Sequence, residues 1–371
     1  MRILQLLPEL NEGGVERGVV ELNREFVKRG LESLVISKGG KLVERIEADG
    51  GTHHTLNVCD KNLFTAPSRV RQLRRLIRRL QPDIIHARSR LPAWLAWFAH
   101  KPLGIPFMTT VHGMNSVNAY SRIMSRGERV ICVSEVIRDY ITQHYPVDPS
   151  RLRVIQRGVD MDLFNPTNTD QSFIEEFRQK YALHNRFVIS SVGRITWLKD
   201  YETFIKAIAK SANKIPNISA LIIGGAREDK ADYLQSLKNL AAECGVAERV
   251  HFVGNQQRIA EIYQLSDVLV NASLKMGNVG RTVVESLAMN TPVLATTFEG
   301  LNNLVKDGRN GFIIETQSAQ DLADKIQRLH DDPISETRTT VPAEFTLDTM
   351  VEQTLDVYRD LLNEQPQKSN N

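Results

Sequence analysis

The sequence predicts an α/β protein of two domains, each built around a parallel β-sheet. Short apolar runs alternate with helical patterns along the chain, and this rhythm is typical of βαβ units. In the first half the predicted strands are RILQLLP, ESLVIS, DIIHAR, PFMTTVHG and RVICVS. In the second half they are RFVISSVGR, SALIIGG, VHFVG, DVLVNAS and TPVLATT. Because 371 residues are too many for one ordinary core, two Rossmann-like domains are expected.

The segment FNPTNTDQS interrupts this rhythm with polar, turn-forming residues, which indicates a linker. We therefore expect an N-terminal domain of residues 1–168 and a C-terminal domain of residues 169–346. Ligands of parallel sheets bind beyond the carboxyl ends of the strands, so a ligand is expected in a cleft between the domains. The apolar spacing in LDTMVEQTLDVYRDLL predicts a final helix at about 347–364, and we expect residues 365–371 to form a disordered tail.

Composition narrows the class of protein. The 47 basic and 44 acidic residues give a net charge of +3, whereas a protein that binds nucleic acid usually has a much larger basic excess. The three cysteines have no metal-like spacing, and an odd, sparse set fits a reducing compartment. The N-terminus has no signal-peptide pattern, and no stretch approaches the roughly 20 apolar residues of a membrane span. These features predict a cytoplasmic protein.

The segment Arg69–Arg79 concentrates positive charge, with six arginines among apolar residues. The apolar residues form a helical stripe, and packing of that stripe on the sheet explains the pattern by itself. The arginines also suit an anionic membrane surface, which attracts a nearby basic side chain by about 1 kcal/mol. Nucleic-acid binding is disfavoured because no aromatic residues stand between the arginines.

Two candidate site features lie in the first half. Gly13 and Gly14 stand between a strand and a helix, where backbone N–H groups can approach a phosphate; an ordinary tight turn is the alternative. His112 ends a strand at the carboxyl edge of the predicted sheet. A hydrogen-bonded structural histidine explains that position equally well.

Two more lie in the second half. Arg194 and Lys199 flank a loop after a strand and could clamp a diphosphate, the alternative being a solvated basic loop. A further loop precedes a helix predicted from about Arg281, and Glu285 lies in the first turns of that helix. A carboxylate there can accept two hydrogen bonds from a ribose diol, although a surface glutamate is the simpler reading. Together these features suit a nucleotide-diphosphate sugar.

The chain resembles the retaining glycosyltransferases of family 4, which have the GT-B fold. The motifs are GGVER, TTVHG, VICVSEVI, VGRITWLKDYETFIKA, GRTVVESLAMNTPVLAT and VKDGRNGFI. The motifs HARSRLPAW, RGVD and GRTVVES look most similar to the subgroup that builds the lipopolysaccharide core. This resemblance implies GT-B architecture with an interdomain cleft, and a final helix that crosses back onto the first domain.

The resemblance also implies an activity. It implies retaining transfer without a metal or other cofactor, from a nucleotide-diphosphate sugar to a lipid-linked cell-envelope glycan. UDP-hexose is favoured as donor over GDP-mannose and ADP-heptose. The enzyme would lie peripherally on the inner face of the cytoplasmic membrane. The donor's own phosphate would take the acceptor proton, so no protein general base is assigned.

The family's residue roles carry over to matching positions. In the first half, Gly13 and Gly14 would lie beside the donor diphosphate and the acceptor, and His112 would contact the transferred sugar.

In the second half, Arg194 and Lys199 would hold the diphosphate and stabilise the leaving group. Glu285 would bind the ribose hydroxyls. Main-chain groups around Val253 and Gly254 would meet the nucleobase.

One departure from the family stands in the loop before Glu285. The family motif has two glutamates eight residues apart, but the first position here is Gly277, and Val279 replaces the usual aromatic residue. Backbone N–H groups of Asn278 to Gly280, with Lys275, would have to take over contacts to the sugar. The alternatives are a sugar-nucleotide-binding protein with reduced or no transferase activity and a GT-B epimerase or phosphorylase.

Overall fold

A computed structural model describes residues 1–11, 13–226, 230–274, 280–297 and 304–364. The chain forms two compact units, the first made of residues 1–158 together with the C-terminal segment from Leu347, and the second of residues 159–346. The segment 159–168, which we expected in the first domain, lies in the second unit. Residues 365–371, the expected tail, lie outside the described residues.

The first unit has a seven-stranded sheet in the order β3-β2-β1-β4-β5-β6-β7, and every neighbouring pair is parallel. Its strands are β1 (Arg2–Leu6), β2 (Glu32–Ser37), β3 (Thr52–Thr55), β4 (Ile84–Ala87), β5 (Phe107–Val111), β6 (Arg129–Cys132) and β7 (Leu152–Val154). Its helices are α1 (Gly14–Lys28), α2 (Val43–Ala48), α3 (Ala66–Leu80), α4 (Arg90–His100), α5 (Glu135–His144) and, at the end of the chain, α12 (Leu347–Asn363).

Helices cover both faces of this sheet. Side chains along a strand alternate between the two faces, and here apolar side chains stand on both, so each face needs a cover. Leu4 and Leu6 of β1 pack in the core beneath α3 and α4. Ile3 points to the other face and packs in a core with α1 and α12. The final helix therefore completes the core of the first unit.

Helix α3 carries the arginine-rich segment. Leu73 and Ile77 are buried, and Val70, Leu76 and Leu80 are partly buried in the same core, so the apolar stripe faces the sheet. The guanidinium groups are not all free. Arg69 is buried and donates to the carbonyl of Asn62 at 2.7 Å, and Arg74 donates to the carbonyl of Phe98 at 2.8 Å. Four arginines of the segment are exposed, namely Arg71, Arg75, Arg78 and Arg79.

The second unit has a six-stranded parallel sheet in the order β10-β9-β8-β11-β12-β13. Its strands are β8 (Phe187–Val192), β9 (Ile218–Ile223), β10 (Val250–Gly254), β11 (Val268–Asn271), β12 (Val293–Thr296) and β13 (Gly311–Ile314). Its helices are α6 (Gln171–Lys180), α7 (Tyr201–Ser211), α8 (Ala231–Glu243), α9 (Ile259–Leu265), α10 (Arg281–Ala288) and α11 (Ala319–Asp331).

The first and last residues of the second unit pair with each other. Val159 forms a parallel bridge with Thr346, and its N–H donates to the carbonyl of Phe345 at 2.8 Å. Val159 and Phe164 also pack in a core with α9, α10 and β12, and this packing explains why the segment after Gly158 belongs to the second unit.

Two parallel sheets with helices on their faces confirm the predicted α/β fold class. No helix in the described part of the chain has both the length and the apolar content needed to cross a membrane.

Candidate functional site

The carboxyl edge of the second sheet is held together by glycines at the ends of adjacent strands. The N–H of Gly193 donates to Ile223 O at 2.9 Å, and the N–H of Gly224 donates to Gly254 O at 2.9 Å. Gly224 has a φ of +143°, and a Cβ there would overlap the carbonyl oxygen of Gly193. Only glycine at position 224 allows the ends of β8 and β9 to lie this close together.

Val253 and Gly254, the predicted main-chain contacts to the base, end β10. Gly254 has a φ of +75°, and the carbonyl of Val253 accepts from the Gln256 side chain at 3.1 Å. A Cβ on Gly254 would meet nothing within 4 Å, so the backbone here is open to a ligand. The side chain of Val253 points into the core, which leaves main-chain groups for recognition.

Lys199 contacts the segment that follows β11 at the same edge of the sheet. Its Nζ donates to Ser273 Oγ at 3.1 Å, and Ser273 Oγ donates to Asn271 Oδ1 at 2.6 Å. Burial, and next the charge of Arg194, lower the pKa of Lys199 below its ordinary 10.5. The lysine is therefore a shielded cation held by a hydroxyl, and the exposed Arg194 lies close enough for mutual repulsion.

Such a pair of cations is suited to an anion. Two like charges near one another become favourable when a diphosphate lies between them, because each then gains a charge-assisted partner. Ser273 and Asn271 were not singled out from the sequence. No local pattern predicts this contact, because Ser273 is 74 residues from Lys199 in the chain.

Glu285 is 5% exposed, so it is not the surface glutamate that a helical propensity alone would suggest. Its Oε1 accepts from Arg281 Nε at 2.7 Å, and its Oε2 accepts from the Tyr263 hydroxyl at 3.1 Å. Both partners fix the carboxylate in the second turn of α10. Gly280 is the residue that caps this helix, and its carbonyl accepts from the N–H of Val283 at 2.8 Å.

The preceding loop falls outside the described residues. It includes Lys275, Gly277, Asn278 and Val279, so their predicted contacts to the sugar remain predictions.

In the first unit, Gly13 and Gly14 stand at the start of α1. Gly14 lies against Arg157, whose Nη2 donates to the Gly14 carbonyl. A Cβ on Gly14 would lie 2.6 Å from Arg157 Nη1, so a larger residue at this position would displace the end of the Arg157 side chain. The sequence predicted the glycine turn but did not single out Arg157.

His112 follows β5 at the carboxyl edge of the first sheet, and its ring nitrogens are shielded from solvent. Burial, then the charges of Arg88 and Arg157, lower the pKa of His112 well below its usual range. His112 is therefore a neutral imidazole near two guanidinium groups at neutral pH.

Each unit thus groups its predicted residues at one sheet edge. Arg194 and Lys199 lie together in the second unit, and Gly14 and His112 both lie close to Arg157 in the first. Within the described ranges, no group of three or more His, Cys, Asp or Glu side chains is placed to hold a metal ion.

Two Rossmann-like parallel sheets with helices on their faces match the GT-B class of fold. The model of the Glycosyltransferase Family 4 domain matches residues 12–163, and that of the Glycosyl transferases group 1 domain matches residues 173–342. The chain belongs to the family-4 type of GT-B glycosyltransferases.

Solved structures agree with this assignment. A glycosyltransferase from Rickettsia africae is 28% identical, has a TM-score of 0.89, and matches over 98% of this chain and 99% of its own. HepE of Anabaena, solved with UDP-glucose, has a TM-score of 0.84 over 97% of this chain and all of its own. At 22% identity, HepE shows the shared fold alone.

A curated relative is the D-inositol 3-phosphate glycosyltransferase of Mycobacteroides abscessus. It is 27% identical over 267 residues, which are 67% of this chain and 58% of that relative. The match spans less than two thirds of the relative's length.

Proposed function

We propose that this protein is a retaining glycosyltransferase that transfers a hexose from a UDP-hexose to a cell-envelope glycan. The proposal rests chiefly on the shielded Lys199, which is held by Ser273 beside Arg194 at the carboxyl edge of the second sheet. Family membership and the buried carboxylate of Glu285 support it further.

In this proposal the second unit binds the donor. Glu285 accepts the ribose hydroxyls, since each oxygen of a carboxylate can accept more than one hydrogen bond. Lys199 and Arg194 hold the diphosphate and neutralise the charge that grows on it as the glycosidic bond breaks. The main chain at Val253 and Gly254 meets the base.

The first unit binds the acceptor and the sugar. His112, as a neutral imidazole, exchanges a hydrogen bond with a hydroxyl of the transferred hexose, and Gly13 and Gly14 leave space beside the reacting groups. The reaction needs no metal because fixed cations carry that role. The donor phosphate takes the acceptor proton, which gives transfer with retention at the anomeric carbon.

UDP is the favoured nucleotide because HepE, which shares the fold, was solved with UDP-glucose. The acceptor in our proposal is a lipopolysaccharide core or a related lipid-linked glycan, on the basis of the motifs HARSRLPAW, RGVD and GRTVVES. Curated relatives are named instead for an inositol phosphate acceptor, so the assay includes such a compound.

A peripheral position on an anionic membrane would bring the enzyme to a lipid-linked acceptor. The four exposed arginines of α3 support this part of the proposal. Leu63 and Phe64 are 81% and 97% exposed shortly before the same helix, and apolar side chains next to basic ones suit a lipid surface.

Gly277 favours a second candidate, a sugar-nucleotide-binding protein with little or no transferase activity. The variant Gly277→Glu restores the family acid eight residues before Glu285. If the native loop is adapted to another sugar, as we favour, turnover of the native donor falls in this variant. A general gain in activity across donors would instead show that the native site had lost a contact.

The experiment is a transfer assay with radiolabelled UDP-glucose, UDP-galactose, GDP-mannose and ADP-heptose. Acceptors are truncated lipopolysaccharide and inositol phosphate, each with and without EDTA. We expect transfer from a UDP-hexose that EDTA leaves unchanged, and a product whose anomeric configuration by NMR equals that of the donor. Binding of UDP without transfer to any acceptor would favour the second candidate, and an inverted product would contradict the mechanism.

A further inference from the structure

Arg88 is a buried arginine for which the mechanism above has no use. It follows β4 at the carboxyl edge of the first sheet, and its backbone N–H donates to the carbonyl oxygen of Leu6 at 2.8 Å. The residue is 7% exposed. Burial lowers the pKa of Arg88 to about 10, so the side chain stays charged at neutral pH.

The contacts of Arg88 do not neutralise that charge. Nη1 lies 3.2 Å from Thr110 Oγ1 and 3.2 Å from His86 Nε2, and both partners are uncharged at neutral pH. Among the described residues, Nε has no hydrogen-bond partner and no carboxylate forms an ion pair with the guanidinium. A buried charge that lacks a counter-ion is costly, so structures rarely keep one without a use.

The position of Arg88 connects it with the predicted site. Side chains alternate along a strand, so Arg88 lies on the same face as His86, which contacts Tyr358 of α12 at 2.7 Å. His112 lies on that face of β5 by the same alternation from Thr110. This is the face that α1 covers, and α1 begins at Gly14.

A second cation lies beside the same edge. Arg157 donates to the carbonyl of Gly14, the first residue of α1, and the charges of Arg88 and Arg157 both act on His112. Two cations and a helix N-terminus close to one histidine favour an anion beside it.

We propose that Arg88, assisted by Arg157, binds a phosphate group or a similar oxyanion carried by the acceptor. The inference rests on the proposed function, because it takes the first unit as the acceptor-binding one. The planar guanidinium offers Nε and an Nη group side by side, which matches two oxygens of a phosphate. Arg88 would thus decide which acceptors are used, whereas the second unit selects the donor.

The test measures binding of inorganic phosphate to the full chain by thermal shift, with UDP present at saturation. We expect phosphate to raise the melting temperature of the native protein. In Arg88→Gln its apparent Kd should rise roughly 10- to 100-fold, the range expected for a charged hydrogen bond. Arg88→Lys should bind phosphate with intermediate affinity. The control is Arg359→Gln, which removes an exposed arginine of α12 in the same unit and should bind phosphate like the native protein.

A second readout separates ligand binding from a structural role. If Arg88 is kept for an anion, Arg88→Gln should melt at a higher temperature than the native protein when phosphate is absent, because a buried charge has been removed. If Arg88 serves only the fold, the variant should melt lower and bind phosphate unchanged, and this result would overturn the proposal.

The source of the anion is tested by competition. For an acceptor site, phosphate should inhibit transfer competitively with the acceptor, and UDP affinity should be unchanged in Arg88→Gln. Competition of phosphate with UDP would assign Arg88 to the donor diphosphate and overturn the proposal. The proposed function fails separately, through loss of UDP binding or of transfer while phosphate still binds at Arg88.

Discussion

The Arg281 guanidinium and the Glu285 carboxylate form an ion pair one turn apart on α10, with Nε 2.7 Å from Oε1. Both side chains are largely buried, and the Tyr263 hydroxyl holds the second carboxylate oxygen at 3.1 Å. The pair therefore has two consequences. It orients the carboxylate for a ligand, and it makes the same carboxylate part of the packed structure.

Glu285→Ala should weaken UDP binding by roughly 1.5–3 kcal/mol, because the ribose loses its acceptor. The melting temperature should also fall, since the partly buried Arg281 loses its counter-charge. Glu285→Gln keeps the shape and tests the charge alone. Calorimetry with UDP, well below the melting temperature, gives the Kd, and the exposed Glu243→Ala serves as the control. An unchanged Kd for UDP in both Glu285 variants would rule out the ribose role.

Arg194→Ala and Lys199→Ala should lower turnover more than donor affinity, because charge accumulates on the diphosphate in the transition state. Loss of one such stabilising group costs on the order of 10²–10³ in rate. Steady-state kinetics with the best UDP-hexose gives kcat and KM separately. Lys206→Ala removes an exposed lysine of α7 as the control. Native turnover in both site variants would show that the diphosphate is held elsewhere.

The activity should decline on the alkaline side of the pH profile at a pH below 10.5. Burial, and next the charge of Arg194, lower the pKa of Lys199, so this lysine loses its proton and its positive charge at a lower pH than a free lysine does. The same shift means that the charged lysine destabilises the fold at neutral pH and that this penalty fades as the pH rises. Lys199→Arg should move the alkaline limb of kcat/KM, which reports the free enzyme, to higher pH by keeping the charge. An alkaline limb at the same pH in this variant would assign it to another group.

The stability of the first unit should fall as the pH drops below about 6.5, the usual pKa of histidine. Burial is the main cause of the lowered pKa values of His86, His100 and His112. Below pH 6.5 these histidines therefore bind protons in the unfolded chain but stay neutral in the native state. Each such histidine lowers the free energy of unfolding by up to about 1.4 kcal/mol per pH unit between its two pKa values.

Melting temperatures from pH 8 to pH 5.5 measure this loss. His100→Asn should reduce the slope, whereas His184→Asn, which removes an exposed histidine, should leave it unchanged. Equal slopes in all three proteins would show that other groups cause the acid sensitivity.

Anionic vesicles should bind the protein through α3. Replacing Arg71, Arg75, Arg78 and Arg79 by Gln should weaken binding by up to about 4 kcal/mol at about 1 kcal/mol per charge, and added salt should do the same by screening. Arg74 is left in place because it donates to the carbonyls of Phe98 and Ala99. Vesicle sedimentation measures the binding, and neutral vesicles are the control. Equal binding to neutral vesicles, or binding that salt leaves unchanged, would exclude this electrostatic mechanism.

The sequence alone predicted the fold class because the interior strands are continuous apolar runs. β1, β4 and β5 of the first sheet, and β8, β9 and β11 of the second, all lie within predicted runs. The strands that these runs do not include are β3, β7 and β13, and each lies at an edge of its sheet. An edge strand that is only partly covered need not be apolar, as the sequence THHT of β3 illustrates. β13 differs, because its sequence GFII is apolar and mostly buried, yet it was not singled out as a strand.

The sequence also selected positions at which chemistry is expected, since glycines, cations and carboxylates that follow strands are local patterns. It did not determine the surroundings of those positions. From the sequence, Glu285 resembles a surface glutamate, but in the structure the Tyr263 hydroxyl of α9 donates a hydrogen bond to its carboxylate. Lys199 likewise resembles a solvated lysine, but its ammonium donates a hydrogen bond to the Ser273 hydroxyl. Arg88 carried no local signal, because its burial depends on two adjacent strands and the helices that cover them. Periodicity determines which elements form, whereas burial and pairing of charge arise from contacts between residues far apart in the chain, and only the tertiary structure decides those.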